Sequence, residues 1–227
     1  MTSIAEAVRS ILAIRGELAH ILALSLLVSC AAIAAAMVLG VPSGIFLALR
    51  RFPGRRILVT LVNSGMGLPP VVVGLFVFLL LARSGPFGAL EILYTPWAMV
   101  LAQIVIATPL VTGITLAAIQ GLDERVHLQI LSLGASRLQY HSKLVQEARL
   151  SLVAALAAGF GAIISEVGAV MIVGGNIKGQ TRVMTTAIVL ETRQGDFAAA
   201  VVLGVILLLL TMLFNWLFTW IQQRPKG

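Results

Sequence analysis

Apolar residues run through this chain in stretches far longer than a soluble fold can bury, and three polar stretches, at 50–56, 121–149 and 174–197, interrupt them. Near the start, residues 3–17 place Ile4, Val8, Ile11 and Leu12 on one helical face and Glu6, Arg9 and Ser10 elsewhere. That periodicity predicts a short amphipathic helix lying at the membrane interface. A first span is predicted over 18–49, broken near Gly40-Val41-Pro42-Ser43-Gly44 because proline lacks the donor a helix needs. A second, over 57–82, carries Gly65, Gly67 and Pro69-Pro70, which must bend it or open its hydrogen-bond ladder. A third covers 96–119 with Pro109 inside, a fourth 150–173 is rich in Gly and Ala, and a fifth covers 198–222. The segment 174–197 is too polar to cross and reads as an outer loop with a short helix.

The pattern therefore predicts an all-α fold, a polytopic bundle of about five transmembrane helices. Composition agrees: 59% of the 227 residues are hydrophobic and 11% charged, which no soluble domain has interior enough to hide. Five spans leave no room for a soluble catalytic domain, so one membrane domain over 1–227 is expected. The net charge of +7 does not point to a nucleic-acid partner, since the basic residues gather at span ends and not on one face as nucleic-acid binding requires. Arg50, Arg51, Arg55 and Arg56 share one short loop, the strongest orientation signal in the chain. With them fall Arg125, Arg137, Lys143, Arg149, Arg224 and Lys226, against Asp123, Glu124 and Glu147. The other side balances Arg9, Arg15, Arg83, Lys178, Arg182 and Arg193 against Glu6, Glu17, Glu91, Glu191 and Asp196. The N-terminus is thus expected outside and the C-terminus in the cytoplasm, in the cytoplasmic membrane. The lone Cys30 excludes an internal disulfide. Leu27-Val28-Ser29-Cys30 loosely matches a lipoprotein processing site, but apolar residues continue to Leu39, so a buried structural cysteine is the expectation.

The stretch 121–149 is far longer than a simple turn needs. Asp123 is placed to cap a helix on which Val126, Ile130 and Leu133 follow i, i+4, i+7 spacing, one apolar stripe to anchor it. Gly134 can end that helix in the left-handed conformation. After Ala135, Ser136 with Gln139 has capping-box spacing and starts a second helix at once. Helix, glycine corner, helix makes a rigid elbow suited to docking another protein; two interfacial helices that merely cap the bundle are the alternative.

Gly134-Ala135-Ser136, followed by Glu147-Ala148-Arg149 and a small-residue span, resembles the cytoplasmic coupling loop of ABC-importer permeases. The family's Glu-Ala-Ala falls on Leu128-Gln129-Ile130, so the glycine half of the motif is the part that is kept. The resemblance extends over nearly the whole chain, through Leu68-Pro69-Pro70-Val71-Val72-Val73-Gly74, Glu166-Val167-Gly168-Ala169-Val170 and Gly175-Asn176-Ile177-Lys178-Gly179-Gln180-Thr181. It points to the oxyanion branch, most like tungstate permeases, with molybdate permeases next. What it implies is a type I importer permease paired with a second copy, a dimer of ATPase subunits gripping the elbow, and an extracytoplasmic substrate-binding protein. ATP would be used by the partner subunit, with no cofactor bound by this chain.

Several residues stand out besides the elbow. Glu166 lies inside a predicted span, where an ionisable group is costly and is paired or faces a cavity; a packing or gate role is favoured over contact with an anion. Asn63, Ser64 and Thr108, with the Pro69-Pro70 break, are candidates for the path lining, against ordinary helix-to-helix hydrogen bonding. Asn176, Lys178, Arg182 and Arg193 are outer-loop candidates, able to attract an oxyanion or an acidic partner, or simply solvated. His20, His127 and His141 lack metal-ligand spacing, so no metal site is expected. No Gly-Lys-Ser or Gly-Lys-Thr phosphate loop exists, so this chain is expected not to hydrolyse ATP. An intramembrane enzyme built on Glu166 lacks a matching partner acid or base; an ion-driven transporter or channel shares the broken helices and needs no ATPase.

Overall fold

A computed structural model describes residues 4–223, with side chains from residue 16 onward. Among the described residues all regular structure is helical: α1 (Ile4–Leu49), α2 (Arg55–Met66), α3 (Pro70–Leu81), α4 (Pro96–Gln120), α5 (Glu124–Ser132), α6 (Arg137–Glu147), α7 (Arg149–Ile164), α8 (Gly168–Gly174), α9 (Met184–Gln194) and α10 (Phe197–Gln223), with one 3₁₀ turn at Gly88–Leu90. Three helices are long and apolar enough to cross a membrane, and five spans result if α2 with α3 and α6 with α7 are each one bent span.

The principal core lies where α1, α3, α4, α7, α8 and α10 meet, with Val28, Ala32 and Ala36 of α1 packed among Val111, Phe160, Ile163 and Val170. Alanines and valines let these helices approach closely, as expected where lipid removes the hydrophobic drive and van der Waals packing decides. Two smaller clusters cap the bundle's ends. At one, Ile45 and Ile119 pack with Ile130, Leu144 and Leu152, so the α5–α6 elbow is seated beneath α1, α4 and α7. At the other, Ile21 packs with Met184, Ala187 and Leu203. Ile21 and Ile45 are 24 helical residues apart, about 36 Å, enough to traverse the hydrocarbon layer.

Four expectations are corrected. The predicted interfacial helix over 3–17 is not a separate element, because α1 runs unbroken from Ile4; the apolar face assigned to it lies outside the described side chains. No break occurs at 40–44 either. Pro42 removes one ladder bond, the one to Val38 O, but the long contact with α4 holds the helix together. The fourth span does not run continuously over 150–173: it stops at Ile164 and restarts at Gly168. Cys30 is exposed, since Val28, Ala32 and Ala36 turn the core face of α1 away from it. The second span is more than kinked, with α2 and α3 meeting at 107°. The tail Arg224-Pro225-Lys226 lies outside the described residues.

Candidate functional site

The elbow forms as local chemistry dictates. Asp123 accepts the Arg125 N–H at 2.9 Å to start α5. Gly134 takes φ of +71°, a conformation that strains any residue with a Cβ. Ser136 then accepts from Gln139 N at 3.4 Å while Gln139 Oε1 accepts from Ser136 N at 2.8 Å, the reciprocal box that opens α6. His127 Nδ1 and the Tyr140 hydroxyl, 2.7 Å apart, tie the two helices together. Burial pushes the Tyr140 phenol up, which favours its protonated form.

The predicted stripe on α5 divides. Ile130 is buried and Val126 half-buried against the bundle, but Leu133 is 81% exposed because it is the residue at which the chain leaves the helix toward Gly134. Leu138, 82% exposed, stands on the other side of the corner. The tip thus presents two uncovered leucines around Gly134, Ala135 and Ser136. A groove of about 520 Å³ runs behind it, lined by Val126, Ile130, Leu133 and Ala135 together with Gln139, Lys143 and Glu147.

Inside the membrane layer, two interrupted spans share one seam. A Cβ built on Gly74 of α3 would lie 2.6 Å from Ala169 Cα of α8, so only glycine permits this backbone contact. One turn back, Gly168 lies against Val71 and the Glu166 carboxylate. Glu166 Oε1 accepts the Ala169 N–H at 2.9 Å, and Glu166 O accepts the Thr185 hydroxyl at 2.9 Å. The carboxylate therefore sits at the start of α8 and satisfies the Ala169 backbone donor there. Pro70 is the first residue of α3, where its missing donor costs nothing, and Pro69 holds the extended conformation before it.

Asn63 and Ser64 are exposed on α2, on the same face as Arg56 and Thr60 at i, i+4, i+7, i+8 spacing. A polar face on a helix flanked by apolar spans needs water or protein against it. Thr108 is not on that face; its hydroxyl turns back to Ile104 O at 2.7 Å. Gln103 is a polar residue that sequence reasoning passes over: it is 4% exposed, donates to Ile163 O at 3.0 Å where α7 ends, and leaves its Oε1 unpartnered. A glutamine inside a span is itself the signal that could have found it.

At the far end, Arg182 pairs with Glu17 at 2.7 Å and Lys178 reaches the other carboxylate oxygen at 3.0 Å. Arg182 is largely covered and Lys178 largely exposed. Asn176 holds φ of +51° in the same turn, which Thr181 closes by donating to Gly174 O and accepting from Ile177 N. Asn176, Lys178 and Arg182 are thus drawn together, the two cations sharing one carboxylate 165 positions from Arg182, while Arg193 is exposed on the last turn of α9. Among the described residues no cluster of His, Cys, Asp and Glu suits a metal.

Broken spans meeting at a common seam, and a stiff elbow beyond the end of the bundle, define a multi-pass membrane subunit of the transport type. The profile of the binding-protein-dependent transport system inner membrane component matches residues 40–227, and the chain belongs to that family. It is 42% identical over 84% of its length to a probable anion ABC transporter permease protein of Haloferax volcanii, covering 84% of that protein. It is 40% identical to the tungstate uptake system permease protein TupB of Peptoclostridium acidaminophilum, with 83% of each chain aligned. The sulfate transport system permease protein CysT of Escherichia coli is more distant, at 29% identity over 70% of this chain and 60% of that one. In three dimensions the chain resembles an amino acid ABC transporter crystallised with histidines (TM-score 0.70, 16% identity, 99% and 100% of the two chains). It also resembles the inward-facing MetNI methionine ABC transporter (TM-score 0.73, 17% identity, 92% and 96%).

Proposed function

We propose that this chain is the permease subunit of an ATP-driven ABC importer that carries an oxyanion, tungstate ahead of molybdate or sulfate, across the cytoplasmic membrane. Alignment at 40% identity along most of a tungstate permease carries the choice of cargo. In this reading two copies enclose the path. Asn63 and Ser64 face it, the Pro69-Pro70 break and the Glu166 seam let its walls move, and Thr108 lies behind. Asp123, Val126, Ile130, Leu133, Gly134, Ala135 and Ser136 build the elbow that an ATPase dimer grips, the uncovered Leu133 and Leu138 supplying apolar contact. Asn176, Lys178 and Arg182 belong to the outer face that meets a substrate-binding protein. The N-terminus lies outside and the C-terminus in the cytoplasm. The chain performs no catalysis and binds no cofactor; ATP is consumed by the partner, whose closure tilts the spans.

The test is reconstitution with the neighbouring ATPase and binding protein in liposomes. ATP-dependent uptake of tungstate, with molybdate and sulfate as competitors, is the expected result. Uptake that proceeds without ATP would assign the chain to ion-driven transport instead.

A further inference from the structure

Two apolar grooves adjoin at the arginine-bearing end of α1, and both are lined by Pro42 and Phe46. One, of about 640 Å³, opens between α1, α2 and α4 over Leu58, Leu61 and Pro109. The other, of about 410 Å³, lies on the opposite flank, toward Arg50 and His141. Neither is lined by an acidic side chain. The larger groove is more apolar than its residue types suggest. Ser43, Thr108 and Thr112 all line it, and each donates its hydroxyl to a carbonyl four residues back in its own helix. No polar hydrogen is left for a ligand there.

The mouth has the opposite character. Arg55 Nε donates to Leu47 O at 2.7 Å and fixes the start of α2 against α1, while Phe52 folds back onto Phe46 with ring centroids 5.5 Å apart. That seats the loop against Phe46, which lines both grooves. Arg50, on the rim of the smaller groove, and Arg51 next to it are exposed and make no ion pair among the described residues. Two uncompensated guanidinium groups at the end of a pair of apolar slots match a molecule with an anionic head and two hydrocarbon tails.

We propose that this end of α1 binds one anionic phospholipid, its phosphate at Arg50 and Arg51 and its acyl chains in the grooves either side of Phe46. The site rests on the membrane setting and is independent of which cargo the protein carries. The lipid stiffens the join between α1 and α2, next to the elbow, and so makes the bundle's response to its partner sensitive to membrane composition.

The experiment uses the full-length chain with whatever subunits co-purify, placed in nanodiscs of phosphatidylglycerol and phosphatidylcholine in equal parts with matched acyl chains, and retained lipids are counted by native mass spectrometry. Phosphatidylglycerol should be retained over phosphatidylcholine. Arg51→Gln should lower that preference about fivefold, and Arg50→Gln with Arg51→Gln further, because each cation near the surface contributes comparably. Ser43→Phe, which fills the larger groove while orphaning no partner, should lower retention of both lipids. Equal retention of the two lipids by the wild type, or a preference unchanged in the folded Arg50→Gln/Arg51→Gln protein, overturns the proposal. So does disulfide-linked dimer formation by Leu61→Cys in a Cys30→Ser background, which assigns the groove to a second copy.

Discussion

The Glu166 carboxylate accepts the backbone N–H of Ala169 at 2.9 Å, at the point where the fourth span breaks and resumes as α8. An acid inside an apolar span thereby acquires a structural role, satisfying a donor that the interruption would leave bare. Glu166→Gln keeps an acceptor oxygen and should leave the melting temperature nearly unchanged. Glu166→Ala should cost about 1 kcal/mol, as loss of a helix-start acceptor usually does. Thermal unfolding of the two variants in detergent distinguishes this role from that of a free charge, for which both would behave alike.

The seam beside it depends on a missing side chain. With Ala169 Cα so near the place a Cβ would occupy, Gly74→Ala must push α3 away from α8. Overpacking of this kind costs about 1–3 kcal/mol, and a lowered melting temperature with reduced uptake is the expected outcome. Gly161, which has nothing within 4 Å, should accept alanine without loss and serves as the control.

The pairing of Glu17 with Arg182 joins α1 to the turn before α9, and both side chains are largely covered. Arg182→Gln leaves a covered carboxylate with one exposed partner and should destabilise the protein by about 3 kcal/mol. Lys178→Gln removes a solvated cation and should cost under about 1 kcal/mol. Adding Glu17→Gln to Arg182→Gln should recover part of the loss, measurable by the same unfolding assay as a double-mutant cycle.

Gly134 is the pivot of the elbow. Gly134→Val forces a branched residue to φ near +71° at an expected cost of about 1–2 kcal/mol, relieved by unwinding the corner. Reconstituted transporter carrying this change should hydrolyse ATP while taking up far less substrate; unchanged uptake would count against a coupling role.

Much of this architecture is legible in the amino-acid sequence, and the parts that are not share a cause. The elbow is legible because its determinants are local: Asp123 lies two residues from the N–H it caps, Ser136 three from Gln139, and one glycine sits between. Spans α4 and α10 are legible because long apolar runs admit little else. The break at Ser165–Val167 is not, since apolar residues flank it and no proline marks it; contacts from Thr185, 19 residues away, hold it open. Pro42 misleads in the reverse direction, its single lost hydrogen bond being outweighed by packing against α4. The Glu17–Arg182 pair spans 165 positions, beyond any local pattern.

Labelling of the elbow tests the central claim most directly, because a motor inside the cell can act only on a lever it can reach. Leu138, 82% exposed at the tip, is replaced by cysteine in a Cys30→Ser background, produced without the ATPase subunit that would cover it, and treated with a membrane-impermeant thiol reagent. Modification in inverted vesicles and none in intact cells is the predicted result. Modification in intact cells would put the elbow on the exterior and contradict the account.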